Sequence, residues 1–454
     1  MTRSSFARSL LPLALAVLVL GPSDLLADPA SDPPQFEITD LGSLDAGSGA
    51  TAATALNASG DVVGHSSVTV PPYNTTEFRA FLYTVDEGLQ PIVPLSLRNF
   101  AWGINSRGDV VGSRSPEGPS FPTEAFLYTR STGVVGNLPG LPAGDSAALA
   151  INDANQVVGH LGNNPYWGAR AFLWSDTGFV DIHTGFPPGT SHSVATGINA
   201  AGVVVGWYDS GASMRAFVRD ANGVLSDLPR PPGTPTQALS VSASGLIAGT
   251  ATTGWQSSAV LWAEGQMRVL GALGNGPGSS GMSVNFRGDV VGASSNGTFV
   301  CPGGSYCTWA SRGFLYRDGM MFDLNDLVPA DSGYVIEGAI AINDVGQIVV
   351  AATRAGAGSS ALLLTPTLSP TKAIEFLITA VEGFDLPGGI ETSFTKKLEH
   401  ALAALEAGDT ATACSDLQDF INHANAQSGK KLTVEQAGQI IAEAEAIRAA
   451  LGCS

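Results

Sequence analysis

The nine residues Ile104-Asn105-Ser106-Arg107-Gly108-Asp109-Val110-Val111-Gly112 recur, with small changes, along most of this 454-residue chain. The phrase is an apolar residue, Asn, two variable residues, Gly, one further residue and a Val-Val-Gly run. It appears as Leu56-Asn57 to Gly64, Ile151-Asn152 to Gly159, Ile198-Asn199 to Gly206 and Val284-Asn285 to Gly292. Val241-Ser242 to Gly249 is a worn copy, and Ile342-Asn343 to Val350 is the last of the seven. Successive Asn positions, with Ser242 standing for Asn in the worn copy, lie 48, 47, 47, 43, 43 and 58 residues apart. Periods of this size belong to propeller blades or to helical arrays. The local chemistry chooses between them. Asn followed three residues later by Gly is a hairpin signal, because the Asn side chain caps the bend and Gly accepts the left-handed conformation that closes it. The flanking Val, Ile and Leu runs favour strands and show almost no helical periodicity.

Two further strands complete each unit. One is Ala80-Phe81-Leu82-Tyr83, which returns at Ala125–Tyr128, Ala171–Trp174, Ala216–Val218, Ala259–Trp262, Gly313–Tyr316 and Ala361–Leu364. The other is the Ile38-Thr39-Asp40-Leu41 type, seen again at Leu225–Leu228, Val269–Gly271 and Phe322–Leu324. Seven units of four short strands make a seven-bladed β-propeller. Strands apolar on both faces fit, since each blade packs between two others. A parallel β-helix is the alternative, but its coils are usually shorter. Residues Phe36–Leu44 precede the first hairpin without one of their own. They are expected to pair as the outer strand of the last blade and so close the ring.

The Asn-x-x-Gly-x-Val-Val-Gly phrase followed by Ala-Phe-Leu-Trp resembles the HAF repeat of bacterial extracellular proteins, over residues 36 to about 364. The resemblance implies a repeat without catalytic residues. At the position of the family's His this chain has Arg79, Glu124, Arg170, Arg215, Ser258, Arg312 and Ser360, so no role of that His carries over.

Composition changes near residue 365. Thr365–Thr371 holds two prolines and reads as a linker, and all five lysines (Lys372, Lys396, Lys397, Lys430 and Lys431) lie beyond it. Ile374–Val381 has helical spacing; Phe394, Leu398, Leu402 and Leu405 form a stripe that Gly408 ends; Cys414, Leu417, Ile421 and Ala424 form another. Thr433 and Gln436 form a capping box that opens a helix with Ile440, Ile441, Ala444, Ile447 and Leu451 inward. The expectation is a bundle of about four helices. Phe420-Ile421, Gly429-Lys430-Lys431-Leu432-Thr433, Gln436-Ala437 and Leu451-Gly452-Cys453 resemble the FIMAH-type domain of exported bacterial proteins. That resemblance implies an accessory, non-catalytic module.

The chain begins with Arg3 and Arg8, an eleven-residue apolar run Leu10–Leu20 and a small-residue site at Leu25-Leu26-Ala27, the pattern of an export signal. An N-terminal membrane anchor is the alternative. No later segment is apolar for long enough to span a membrane. The organisation is therefore signal peptide 1–27, propeller 28–364, linker 365–372 and helical bundle 373–454, with the protein secreted or at the cell surface. A net charge of −18 repels phosphate backbones and makes nucleic acid a poor partner. The four cysteines fall into pairs, Cys301 with Cys307 and Cys414 with Cys453, read as disulfides in an oxidising compartment. A four-thiolate zinc site would need closer spacing.

Catalytic motifs are not found. The six histidines (His65, His160, His183, His192, His400 and His423) show no metal-ligand spacing, and no Gly-x-Ser-x-Gly elbow occurs. His183 and His192 flank one loop, where they either meet a ligand or are solvated. Asp61, Asp109 and Asp289 follow the turn Gly, with Gln156 and Gln347 at the same place. They read as solvent-facing hairpin residues rather than as a carboxylate ring. Asp323 and Asp326 lack the ladder of carboxylates that a calcium loop needs. No cofactor is expected.

In a meander the tight Asn-to-Gly turns share one face of the ring and the long variable connections share the other. On the variable side lie Tyr73, Phe121, Tyr166, Trp167, Trp207, Tyr208, Trp255, Tyr306 and Trp309. Exposed rings among Gly, Asn and Ser are what a glycan or protein ligand uses; the alternative is that they pack down and anchor loops. The expectation is a non-catalytic binding or scaffold protein. A polysaccharide hydrolase or lyase with its site at the propeller mouth, and a structural envelope or matrix protein, are the alternatives.

Overall fold

The computed structural model describes residues 34–453 except 46–48, 71–74, 94–97, 116–122, 163, 301–307, 355–357, 368–369, 383 and 385. The export signal at 1–27 lies outside the described residues. So does the Cys301/Cys307 pair.

Seven four-stranded antiparallel sheets form the blades of a β-propeller. Blade 1 consists of Thr51–Leu56, Val62–Val70, Thr75–Thr84 and Gly88–Pro91. Blades 2 to 6 occupy residues 98–137, 146–181, 192–227, 236–271 and 279–323. Blade 7 takes three strands from 334–367 and its outer strand from Gln35–Asp40. The first strands of neighbouring blades touch all the way round, including the first strand of blade 7 with that of blade 1, so they are the inner strands of a closed ring.

Ring closure is the expected one. Gln35–Asp40 lies antiparallel to the last strand, Ser359–Thr367, with Phe36 opposite Pro366 and Asp40 opposite Leu362. The pairing is shorter than expected at one end and longer at the other. It stops at Asp40, and the Leu44 amide already donates to Ser66 Oγ of blade 1. It also carries Thr365, Pro366 and Thr367, which the sequence places in a linker. Pro366 is tolerated there because the strand's other neighbour stops pairing at Leu364.

The Gly of Val-Val-Gly has a packing reason. Gly64, Gly112, Gly159, Gly206 and Gly292 stand directly opposite Phe81, Phe126, Phe172, Phe217 and Phe314. All five rings are fully buried. A Cβ on Gly112 would collide with the Phe100 carbonyl and lie 2.7 Å from the Phe126 ring. In blades 1 to 6 the inner strand also carries a β-bulge beside the residue that faces this glycine. Blade 7 lacks both members of the pair and sets Val350 against Leu362 instead.

Two hydrogen-bond systems join the blades. The first runs through the repeat Asn. Asn57 Oδ1 accepts from the amides of Ser59 and Asp61, closing its own turn. Its Nδ2 donates to the carbonyl of Asn105 in the next blade at 3.1 Å. Asn105 reaches Asn152, Asn152 reaches Asn199, Asn199 reaches Ser242, and Asn285 reaches Asn343 in the same way. Asn343 donates back to the Asn57 carbonyl at 3.1 Å. The belt is interrupted only at Ser242, which has no amide; there Ser244 Oγ donates to the Phe286 carbonyl instead. In the second system a short polar side chain near the start of an inner strand accepts from the amide of the repeat Ala in the preceding blade. The pairs are Asn99 with Ala80, Ser146 with Ala125, Ser193 with Ala171, Thr236 with Ala216 and Ser279 with Ala259.

Four helices follow: α1 Pro370–Glu382, α2 Gly388–Glu406, α3 Thr410–Gln427 and α4 Val434–Ala450. Ile374, Leu377, Phe394, Leu398, Leu417, Phe420 and Ile440 are buried in their common core. The capping box forms reciprocally: Thr433 N donates to Gln436 Oε1 and Gln436 N to Thr433 Oγ1. Cys414 is bonded to Cys453, with Cα atoms 5.6 Å apart. Among the described residues no helix is long and apolar enough to cross a membrane.

Candidate ligand-binding face

The Asn-to-Gly turns join first to second strands, and the third-to-fourth-strand turns lie at the same end of each blade. The opposite end therefore carries the loops from second to third strand and the crossings from one blade to the next. This is the variable face.

The nine aromatic residues assigned to it divide into three groups. Tyr73, Phe121 and Tyr306 lie outside the described residues. Tyr166 (55% exposed), Trp167 (79%), Trp255 (102%) and Trp309 (45%) present their rings to solvent. Trp207 and Tyr208 do not, being 3% and 2% exposed. The expectation of exposed rings at these two positions is corrected. They belong to a strand, Val204–Asp209, rather than to the loop after it. Trp207 packs with Ala169 and Val194, lies edge-on to His192 and carries the Tyr166 ring stacked 5.3 Å away. Tyr208 stacks on Phe186 at 4.4 Å and donates its hydroxyl to Asp227. Burial, then the Asp227 carboxylate, raises the Tyr208 pKa above its usual value.

Trp255 is placed by a two-residue hairpin, Gly254-Trp255, between Thr253 and Gln256. Gly254 takes the left-handed conformation (φ +62°) that lets so short a turn close. The indole at its tip touches nothing that would explain it structurally. The three exposed tryptophans also share a repeat position. Trp167, Trp255 and Trp309 each precede by three residues Arg170, Ser258 and Arg312, which occupy the same register against the second strand. Phe121 has the same place ahead of Glu124.

Several charged groups of this face are mutually engaged. Arg170 pairs with Asp181, Arg215 with Asp227 at 2.9 Å, and Arg312 approaches Asp323 to 4.0 Å. Asp40, the corresponding acid of blade 7, accepts from the Tyr334 hydroxyl at 2.7 Å. Arg170, Arg215 and Arg312 thus serve as partners to the outer-strand aspartates of blades 3, 4 and 6. Asp323 also caps the short turn Leu324–Asp326, accepting from the Asn325 amide.

His183 and His192 are built into the structure. His183 Nδ1 meets Ser193 Oγ at 2.8 Å, and that oxygen already accepts from Ala171 N. Burial, then the charge of Arg170, lowers the His183 pKa from its ordinary value. Ser191, His192 and Asp209 do meet, but hydroxyl and carboxylate both approach the same ring nitrogen, Nδ1. A catalytic triad needs them on opposite nitrogens.

The residue after the turn Gly is also corrected. Asp61, Asp109 and Asp289 are buried rather than solvent-facing. Each accepts from the Nδ2 of the repeat Asn four residues earlier, and each has an arginine: Arg130 for Asp61, Arg107 for Asp109, Arg317 for Asp289. Gln156 and Gln347 accept from Asn152 and Asn343 in the same way. These groups extend the inter-blade belt. Among the described residues no cluster of three or more His, Cys, Asp or Glu side chains is arranged to hold a metal ion.

No family model matches the chain, and no curated protein does. Among solved structures it is similar to TolB from Acinetobacter baumannii, at 13% identity and a TM-score of 0.37, over 67% of this chain and 63% of that one. It is similar to a puromycin-hydrolyzing peptidase of Mycobacterium tuberculosis, at 14% identity and a TM-score of 0.38, over 56% and 45%. It is similar to Trypanosoma rangeli sialidase, at 11% identity and a TM-score of 0.37, over 78% and 64%. The chain thus spans less than two thirds of the length of each of these structures. They are likenesses of overall fold.

Proposed function

We propose that this protein is an exported, non-catalytic binding module that holds a ligand on the variable-loop face of its propeller. The observation that carries the reading is Trp255, fully exposed at the tip of a two-residue hairpin. Exposing an indole forgoes the burial of a large apolar surface, and no fold requirement explains its place. Trp167 and Trp309 support the reading on two further blades. The resemblance to HAF repeats and to the FIMAH-type domain suggests export and an accessory role for the helices. The acidic surface speaks against nucleic acid as ligand. The test is a binding screen of the purified protein against arrayed glycans and secreted proteins, repeated with a Trp167→Ala/Trp255→Ala double variant. Loss of at least tenfold in affinity for the captured ligand is expected. Unchanged binding removes the face from consideration.

A further inference from the structure

The side chains around the exposed rings narrow the kind of ligand. Among the described residues, every large apolar side chain exposed in the second-to-third-strand hairpins is aromatic: Tyr166, Trp167, Trp255 and Trp309. Of the exposed aliphatic side chains, Val85, Val134, Val224 and Met320 lie in or beside the third-to-fourth-strand turns and Val345 in an Asn-to-Gly turn, at the other end of the blades; Val180, Val269 and Met282 lie within strands, and Val335 is at the variable end, near the start of an inner strand. A protein-binding patch surrounds its aromatic anchors with apolar neighbours that exclude water. Around Trp255 the neighbours are short and polar, Thr252, Thr253, Gln256 and Ser257; beside Trp167 stand Asn164 and Gly168 together with Tyr166, and Trp309 lies opposite Phe299 in the ladder. Flat rings flanked by hydroxyls and amides suit a ligand that is itself both apolar and hydroxylated. The C–H face of a pyranose ring can stack on an indole while its hydroxyls take the polar neighbours.

Charge and repetition restrict the class further. Residues 34–367 contain 14 arginines and no lysine against 25 acidic residues, a balance of −11. Three arginines of the loop face, Arg170, Arg215 and Arg312, are already engaged with aspartates. A polyanion would meet net repulsion from so acidic a propeller. The tryptophans occupy one repeat position on blades 3, 5 and 6. Blades related by rotation about the ring present that position at the same end of the molecule, so a ligand with repeating units can engage several rings at once.

Resting on the binding role proposed above, we propose that the ligand is a neutral polysaccharide chain, bound by stacking on Trp167, Trp255 and Trp309 with multivalent gain. The test uses affinity electrophoresis and titration calorimetry with soluble xylan, galactomannan, mixed-linkage β-glucan and dextran, with polygalacturonate and alginate as anionic counterparts. At least one neutral polymer is expected to retard the protein. That polymer is expected to bind at least thirtyfold more tightly than its own trisaccharide. Trp167→Ala and Trp255→Ala are each expected to weaken the polymer about tenfold, with near-UV circular dichroism unchanged. Stronger binding of the polyanions, equal affinity for polymer and trisaccharide, or failure of all four neutral polymers overturns the inference. Capture of a protein ligand that the same two variants abolish overturns the glycan assignment but leaves the binding face standing. Polymer binding that both variants leave intact overturns both.

Discussion

Asn199→Ala tests the inter-blade belt. Asn199 is 7% exposed and makes three hydrogen bonds besides its backbone ones. Its Oδ1 accepts from Ala201 N at 3.1 Å and Val203 N at 3.0 Å, and its Nδ2 donates to the Ser242 carbonyl at 3.1 Å. Alanine removes all three and leaves two amides and a carbonyl to find water at a crowded seam. At ~1 kcal/mol net for each bond the loss is about 3 kcal/mol. Blade 5 supplies the control, because Ser242 occupies the same repeat position. Its hydroxyl accepts from Leu246 N at 3.0 Å, as Asn199 accepts from Val203, but it reaches no neighbouring blade. Asn199→Ser should therefore keep one bond of three and cost about 2 kcal/mol. Urea unfolding followed by tryptophan fluorescence reads both. With m of ~3 kcal/mol/M the midpoint should drop by about 1 M for alanine and about 0.7 M for serine. The slope must stay constant for the shift to be a free energy. An alanine midpoint within about 0.3 M of the parent would refute the belt as a source of stability. A serine variant no better than alanine would show that the hydroxyl does not replace the turn cap.

Three other outcomes follow from particular contacts. Trp207→Ala should destabilise by about 3–5 kcal/mol, since its ring is buried, whereas Trp255→Ala should stay within ~0.5 kcal/mol of the parent; thermal melts of the two variants separate a core ring from a surface one, and equal melting points would contradict the assignment. Cys414→Ser opens a cross-link spanning 39 residues and should cost ~4 kcal/mol in the chain-entropy model; the helical signal at 222 nm should melt earlier, reductant should reproduce the shift in the parent protein, and an unmoved transition would assign the bond no stabilising role. Burial lowers the pKa of His65 and His160 from 6.5, so the unfolded chain binds more protons than the folded one as pH drops below that value; stability should fall from pH ~7.5 to ~5.5, and His65→Phe, set among Phe78, Phe100 and Trp102, should remove part of the fall. Identical pH slopes for parent and variant would exclude His65 as a contributor.

Much of the architecture is legible in the sequence. Seven turns, four strands for each turn, the closing strand near Phe36, four helices and the Thr433/Gln436 box all appear in the structure. These features rest on contacts between residues a few positions apart, or on a repeat that displays them seven times over. The exposure of individual residues at the face is less legible. Trp207 and Tyr208 follow Val-Val-Gly directly, where the pattern predicts an exposed loop, yet the strand runs on through Asp209 and carries them inward. Trp255 and Trp167 have similar surroundings in the chain and end in solvent. Whether such a ring is covered depends on whether a neighbouring segment lies over it, and composition does not record that.

The repeat Asn shows where the division falls. Its bonds to amides two and four residues on are local, and the pattern Asn-x-x-Gly announces them. Its Nδ2 bonds reach carbonyls 43 to 58 residues away, and at the closing seam 286 away. Those partners become neighbours only when seven twisted sheets pack side by side around one axis. The chain's own pattern therefore specified the blades and their number, through short-range turn geometry and apolar strands. The packing of blade on blade settled which polar groups are buried, which aspartates are structural and which tryptophans are exposed, because each of these is a contact between segments that the chain holds far apart.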